Sequence, residues 1–437
     1  MTSLYGRLRL KQVAYLAGVL IPALLPTASA APPADEVFRV TAVIFEPGGA
    51  SFKSGDISFD DPAIKMYFNA DRTNAAVDRV HTDANPLVID WLGAGKFIGP
   101  NKTGQDGGPN GVVTANHSTE VWAGDGDSTV KVVKLSDPTH IFKTISTGGM
   151  PTQRADELCY DPDDNLVMVA NDRDSDLFVT FIDTKTYKVK TTVSFKGTDP
   201  NALNLHATSG IEQCQFSPKT GKIYLNLPEI NGLGHGAVVV FDPKSMTATT
   251  FFPISAADCG VGPAGMAIGP DDQILLGCNT IPPNSTVIIN HKGAIIARLE
   301  NQGGSDEVWF NPGDGHYFLA ETGNCPPNNM PVCPPGTFAQ LGVVDAKHHH
   351  ADQSVPTVDA AAGRAGSVAA DPHTNKVFLP ARADGVSTIC SSLSGNPADN
   401  ARGCIVVFTA KHDDKHDDKH DDKHDDKHDD KHDEHDD

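Results

Sequence analysis

Apolar and polar positions alternate along most of this chain in short runs, and the runs recur in sets of four. Residues 155–193 hold the clearest set, ADELCYDPDDNLVMVANDRDSDLFVTFIDTKTYKVKTTV. A short apolar run leads into a Pro/Asp turn. A second run ends in Ala-Asn, a third ends in Ile-Asp, and a fourth alternates. Each run is too short for a helix and is bounded by turn residues, so each predicts a strand. A fixed period with four strands per unit and no helix predicts an all-β fold, the β-propeller.

Aligned on the turn that follows them, seven inner strands begin near Asp56, Val112, Asp156, Glu212, Ala264, Asp306 and Gly366. The third and fourth units are the most regular. The first is weak, and a Gly/Asn-rich stretch over residues 93–111 separates it from the second. The seventh copy stops after its third strand, at Ala410. Residues 37–45, VFRVTAVIF, supply the missing fourth strand, so the last blade is closed from the N-terminus. Closure removes an apolar sheet edge that an open ring would expose.

The run VMVAN, FVTFID, KVKTTV in unit three resembles the YVTN-type (YncE-like) seven-bladed propellers of exported bacterial proteins. The likeness covers essentially the whole body, residues 31–410, and implies the fold. That family is functionally mixed, so the likeness brings no catalytic residue with it.

The segments outside the body differ in kind. Arg7, Arg9 and Lys11 precede an apolar stretch over residues 13–25 and the small residues Thr27, Ala28, Ser29 and Ala30. This predicts a signal peptide over residues 1–30, cleaved near Ala30, and a periplasmic or secreted mature protein with no membrane span. Residues 411–437 repeat Lys-His-Asp-Asp and have no apolar face, which predicts a disordered tail. Net charge is −21, with 14 acids against six lysines in the tail. Such a surface excludes nucleic acid as a partner and favours cations.

The eight cysteines are an even number in an exported chain and predict disulfides. In a propeller, the loops between strands two and three and the loops between blades share one face, here called the top. Cys325 and Cys333 lie in one such loop, and Cys390 and Cys404 flank the matching loop of the next blade. Cys259 lies in the loop entering blade five and Cys278 ends that blade's second strand, and Cys159 and Cys214 lie on neighbouring inner strands. The expected pairs are Cys159–Cys214, Cys259–Cys278, Cys325–Cys333 and Cys390–Cys404. Nothing in the sequence argues for more than a monomer.

The tail is the strongest chemical signal. His412, His416, His420, His424, His428, His432 and His435 stand among aspartates. Neutral imidazole and carboxylate bind zinc, nickel, cobalt and copper(II), and binding weakens as the imidazoles protonate. A solubilising repeat is the plainer reading of such a tail. A second cluster, His348, His349 and His350, falls in a turn on the bottom face, where the tail also leaves the body.

The channel mouth is the other candidate. Asp56, Asp156, Glu212 and Asp306 share one register position, and Glu157 and Glu307 the next. These carboxylates suit a hard ion such as calcium, and equally suit capping of strand ends by water and basic side chains. His206 and Arg173 lie in loops that reach the same mouth. No nucleophile elbow, P-loop, dinucleotide fingerprint or zinc-protease helix is present. Three functions fit: a metal-binding protein, a metal-assisted lactonase- or lyase-like enzyme at the mouth, and a scaffold whose top loops hold a protein, glycan or small molecule. The tail favours the first and leans away from an enzyme.

Overall fold

The computed structural model describes residues 36–412, apart from 101–106, 279–285, 301, 322–338, 358–365 and 384–386. It contains seven four-stranded antiparallel sheets. Six are built from consecutive strands, and each has its first strand innermost. The seventh runs, from outside in, Glu36–Ile44, Cys404–His412, Lys376–Ala381 and Ala369–Asp371. Phe38 pairs with Ala410, and Ile44 with Ile405, so the N-terminal strand closes the ring as expected. It begins and ends one residue earlier than the sequence indicates. Its partner runs on to His412, because Glu36 opposite supplies one more pairing.

The recurring turn has a specific chemistry. Asp61, Asp161, Asn311 and Asp371 each accept a backbone N–H two residues on, at 2.8–3.1 Å. Four residues after each of them, Lys65, Asn165, Gly315 and Asn375 have φ of 50–77°. This side-chain turn reverses the chain between strands one and two, and it explains the periodic Asp/Asn-Pro steps. Blade one is as regular as the others, with Ser58–Asp61, Met66–Asp71, Ala76–His81 and Val88–Leu92 all paired. Its signal is weak because Asn69, Asp71 and Asp78 interrupt its apolar runs with polar side chains that are fully buried.

Apolar side chains pack between neighbouring blades. Phe181 of blade three and Phe241 of blade four lie 5.7 Å apart, and Tyr67 of blade one stacks on Phe378 of blade seven at 4.7 Å. Cys159–Cys214 joins inner strands of blades three and four with a Cα separation of 5.7 Å. Cys259–Cys278 and Cys390–Cys404 close the expected loops. Cys325 and Cys333 lie outside the described residues, as do the tail histidines beyond His412. Among the described residues no helix is long and apolar enough to cross a membrane.

Candidate functional site

At the top of the inner strands the shared register brings the predicted acids together, but not around an open cation site. Arg72, just after strand two of blade one, forms an ion pair with Asp56 and donates to Asn110 Oδ1 at 2.9 Å from Nε. Asn110 occupies in blade two the position that Asp156 occupies in blade three. Arg154 lies 2.5 Å from Asp156 and donates to Asp172 at 2.7 and 2.9 Å. It also reaches Asp56 at 3.5 Å. Arg173 Nε sits 3.2 Å from Asp172, at the edge of the same network. His206 is exposed instead, with its backbone N–H on Asn231 Oδ1 at 3.0 Å in the loop entering blade four.

The electrostatics divide the acids. Burial opposes ionisation of Asp56, but the guanidiniums of Arg72, Arg154 and Arg382 outweigh it and hold that carboxyl below its usual value. Burial pushes Glu157 up to about 8, against the hydrogen bond from Glu307 and with the like charges of Asp56 and Asp306. Burial raises Glu307 further, and the charge of Glu157 adds to it, so Glu307 keeps its proton and donates it to Glu157. Burial likewise raises Glu212, reinforced by Asp306, and Asp156, opposed by Arg154. Among the described residues the mouth acids do not bring three ligand atoms within 4.8 Å of one another. Below Glu157 the channel opens into a cavity of about 430 Å³, lined by aromatic side chains that include Phe59, Tyr160, Phe216 and Trp309.

The opposite face carries a different cluster. In blade six, strand His316–Glu321 pairs with Gln340–Asp345, which pairs with His350–Pro356. The register sets His316 opposite Asp345 and Asp345 opposite His350, so the three line up across the sheet. Asp352 is the extra residue of a β-bulge between Ala351 and Gln353, and its carboxylate meets the same group. His350 Nε2 lies 2.7 Å from Asp352 Oδ1, and His316 Nε2 lies 3.1 Å from Asp352 Oδ2. Ligand atoms of Asp345, His350 and Asp352 all fall within 4.8 Å of one another. His348 Nδ1 is 2.7 Å from Asp345 Oδ2.

Two of the three predicted turn histidines therefore join this group. His349 does not: its φ of 58° turns it away, and Nε2 meets Gln273 Oε1 of blade five at 2.6 Å. His316, Asp345 and Asp352 were not among the sequence candidates. Aligning the starts of strands two and four with the end of strand three within blade six would have found them.

The tail begins beside this cluster. The ring of Phe38 lies 5.6 Å from that of His316, and the Phe38 backbone pairs with Ala410 and with the Gln353 side chain at 2.8 and 3.0 Å. The Lys-His-Asp-Asp repeat starts at the next residue, Lys411.

The fold and these sites define a seven-bladed β-propeller with a His/Asp cluster on one face. No family model matches the chain, and no curated protein matches it either. Among solved structures it is similar to a chain in the crystal structure of a mitotic checkpoint complex. That likeness has 12% identity and a TM-score of 0.57, over 91% of this chain and 100% of the other. At that identity it speaks for the fold alone.

Proposed function

We propose that this chain is an exported, YVTN-type propeller that binds divalent transition metals, gathering them on its His/Asp tail beside the blade-six cluster. The carrying observation is the adjacency of tail and cluster: Phe38 touches His316 and pairs with the last residue before the repeat. A flexible tail offers many interchangeable ligands, each weak because ordering the chain costs entropy. A sheet-borne set, with His316 and His350 each within 3.1 Å of Asp352, avoids most of that cost. The tail thus serves capture, and the propeller edge offers a fixed position.

The test is zinc titration by calorimetry with elemental analysis, at about pH 7.5 and about pH 5.5. The full chain is compared with one ending at His412, which keeps every pairing of the closing strand. The expected result is several weak sites lost with the tail, one retained by the shortened chain, and all weakened at the lower pH. Equal zinc binding by both chains would remove the tail from the function.

The metal-assisted enzyme expected at the mouth lacks its cation site there among the described residues, so the second reading is an enzyme that uses the mouth carboxyls for acid–base chemistry. The raised carboxyls of Glu157 and Glu307 above an aromatic-lined cavity favour it. It predicts a ligand that binds equally well after removal of the tail.

A further inference from the structure

Blade one buries three carboxylates where its neighbour buries an ion pair. In blade two, Lys131 stands opposite Ala123, two residues before Asp125, and Lys131 and Asp125 form a buried salt bridge. In blade one, Asp78 stands opposite Asn69, two residues before Asp71. Asp71 and Asp78 thus hold the positions of Asp125 and Lys131, with an acid in place of the lysine. Blade three has Asn171 and Thr180 there, an uncharged pair. Glu46, from the connection after the closing strand, adds a third carboxylate.

All three are buried, at 0–3% exposure. Ligand atoms of Glu46, Asp71 and Asp78 lie within 4.8 Å of one another. Among the described residues no lysine, arginine or histidine pairs with them. Arg79, next to Asp78, projects to the other side of the strand and donates to Asp90 at 2.7 Å. The donors that do arrive are few: Trp91 Nε1 to Glu46 Oε2 at 2.9 Å, Asn69 Nδ2 to Asp78 Oδ2 at 2.7 Å, the Asn74 N–H to Asp71 at 3.0 Å with the Asn74 side chain beside it, the Thr73 N–H to Asp71, and a proton shared between Glu46 and Asp78.

Glu46 Oε1, Asp78 Oδ1 and Asn69 Oδ1 are buried without a hydrogen-bond partner. The Asn69 oxygen adds an observation of a different kind. It is an amide acceptor on a side chain with 0% exposure, held at the cluster by its own Nδ2. Sharing protons between carboxyls neutralises the acids, and an amide oxygen takes no proton at ordinary pH. One cation would meet this oxygen together with the unmet oxygens of Glu46 and Asp78.

We infer that Glu46, Asp71, Asp78 and the amide oxygen of Asn69 form a buried site for one hard divalent cation of the calcium class. The donor set is all oxygen, which selects calcium over softer metals. Two oxygens on opposite sides of a calcium ion, each about 2.4 Å away, stand about 4.8 Å apart, and the cluster fits within that span. Glu46 lies two residues past the strand Glu36–Ile44. The ion therefore fastens the end of the closing strand to blade one, where the ring is joined. The site shares no residue with the blade-six cluster, so it stands or falls independently of the transition-metal reading.

The test uses the full chain, stripped with a chelator, as wild type, Asp78→Asn and Asp78→Lys. Bound calcium and the thermal midpoint are measured with and without roughly 5 mM calcium. Wild type should bind one more calcium than Asp78→Lys and gain roughly 3–5 °C when free calcium is ~100-fold above Kd. Asp78→Asn should lose about tenfold or more in affinity. Asp78→Lys rebuilds the blade-two ion pair, so it should fold at least as stably as stripped wild type and ignore calcium. A wild-type midpoint indifferent to calcium, or an equal calcium response in Asp78→Lys, would overturn the site.

Discussion

The channel mouth and the edge of blade six both concentrate carboxylates, yet they hold their charge in opposite ways. At the mouth the acids are buried, and the protein supplies their counter-charge itself, through Arg72, Arg154 and Arg382 and through protons kept on Glu307 and Glu212. At blade six the acids face partly exposed imidazoles: the His350 side chain is 40% exposed, the His348 side chain 51%. An imidazole is either a cation or a neutral ligand, so on the function proposed above this edge exchanges a proton for a metal ion. Clustering of acids locates both places. The kind of positive group beside the acids separates a network neutralised by its own arginines and protons from a cluster whose positive partners are titratable imidazoles.

The largest expected effect tests the mouth. Arg154 joins Asp56, Asp156 and Asp172 with a side chain only 10% exposed. Removing one partner of a buried ion network leaves uncompensated charge, and Arg154→Ala should lower unfolding stability by about 3–5 kcal/mol. Denaturant unfolding measures it. A loss below about 1 kcal/mol, typical of exposed pairs, would mean that the mouth is not internally neutralised, and the contrast with blade six would collapse.

A smaller effect concerns protons. Glu157 has a folded value of about 8 against an ordinary 4.5, so the folded state binds the extra proton between those limits. Its burial therefore costs nothing below about pH 4.5, costs progressively more as pH rises, and reaches its full cost above about pH 8. Glu157→Gln should stabilise the protein by roughly 1–2 kcal/mol at pH 8 and leave it nearly unchanged at pH 4.5. An equal shift at both pH values would show that the substitution acts through packing and not through titration.

Much of this was legible in the sequence because turn chemistry repeats. The Asp/Asn-Pro turns fixed the register, and register predicted the closing strand, three described disulfides and the common height of Asp56, Asp156, Glu212 and Asp306. Of the mouth arginines only Arg173 was read from the sequence; Arg72 and Arg154 were not, since Arg72 follows one strand and Arg154 precedes another, at different offsets from the turn. Blade six failed for a related reason. His316 is 36 residues from Asp352, and only pairing across three strands unites them. A run of histidines draws attention to His349, yet the left-handed turn at that residue removes it from the group.

The smallest expected change in stability is the one that sharpens the comparison most. Asp352 is about 30% exposed, and its bonds to His316 and His350 resemble surface ion pairs. Asp352→Ala should therefore move unfolding stability by no more than about 0.5 kcal/mol. Its consequence for metal should be large, because the carboxylate touches both imidazoles, and removing it takes away a ligand together with the group that orients two others. In the chain ending at His412, zinc affinity should fall by roughly tenfold or more. His349→Ala, whose ring faces Gln273, should leave zinc affinity unchanged. If Asp352→Ala destabilised the fold like Arg154→Ala and spared zinc binding, blade six would be a second structural network, and transition-metal chemistry would belong to the tail alone.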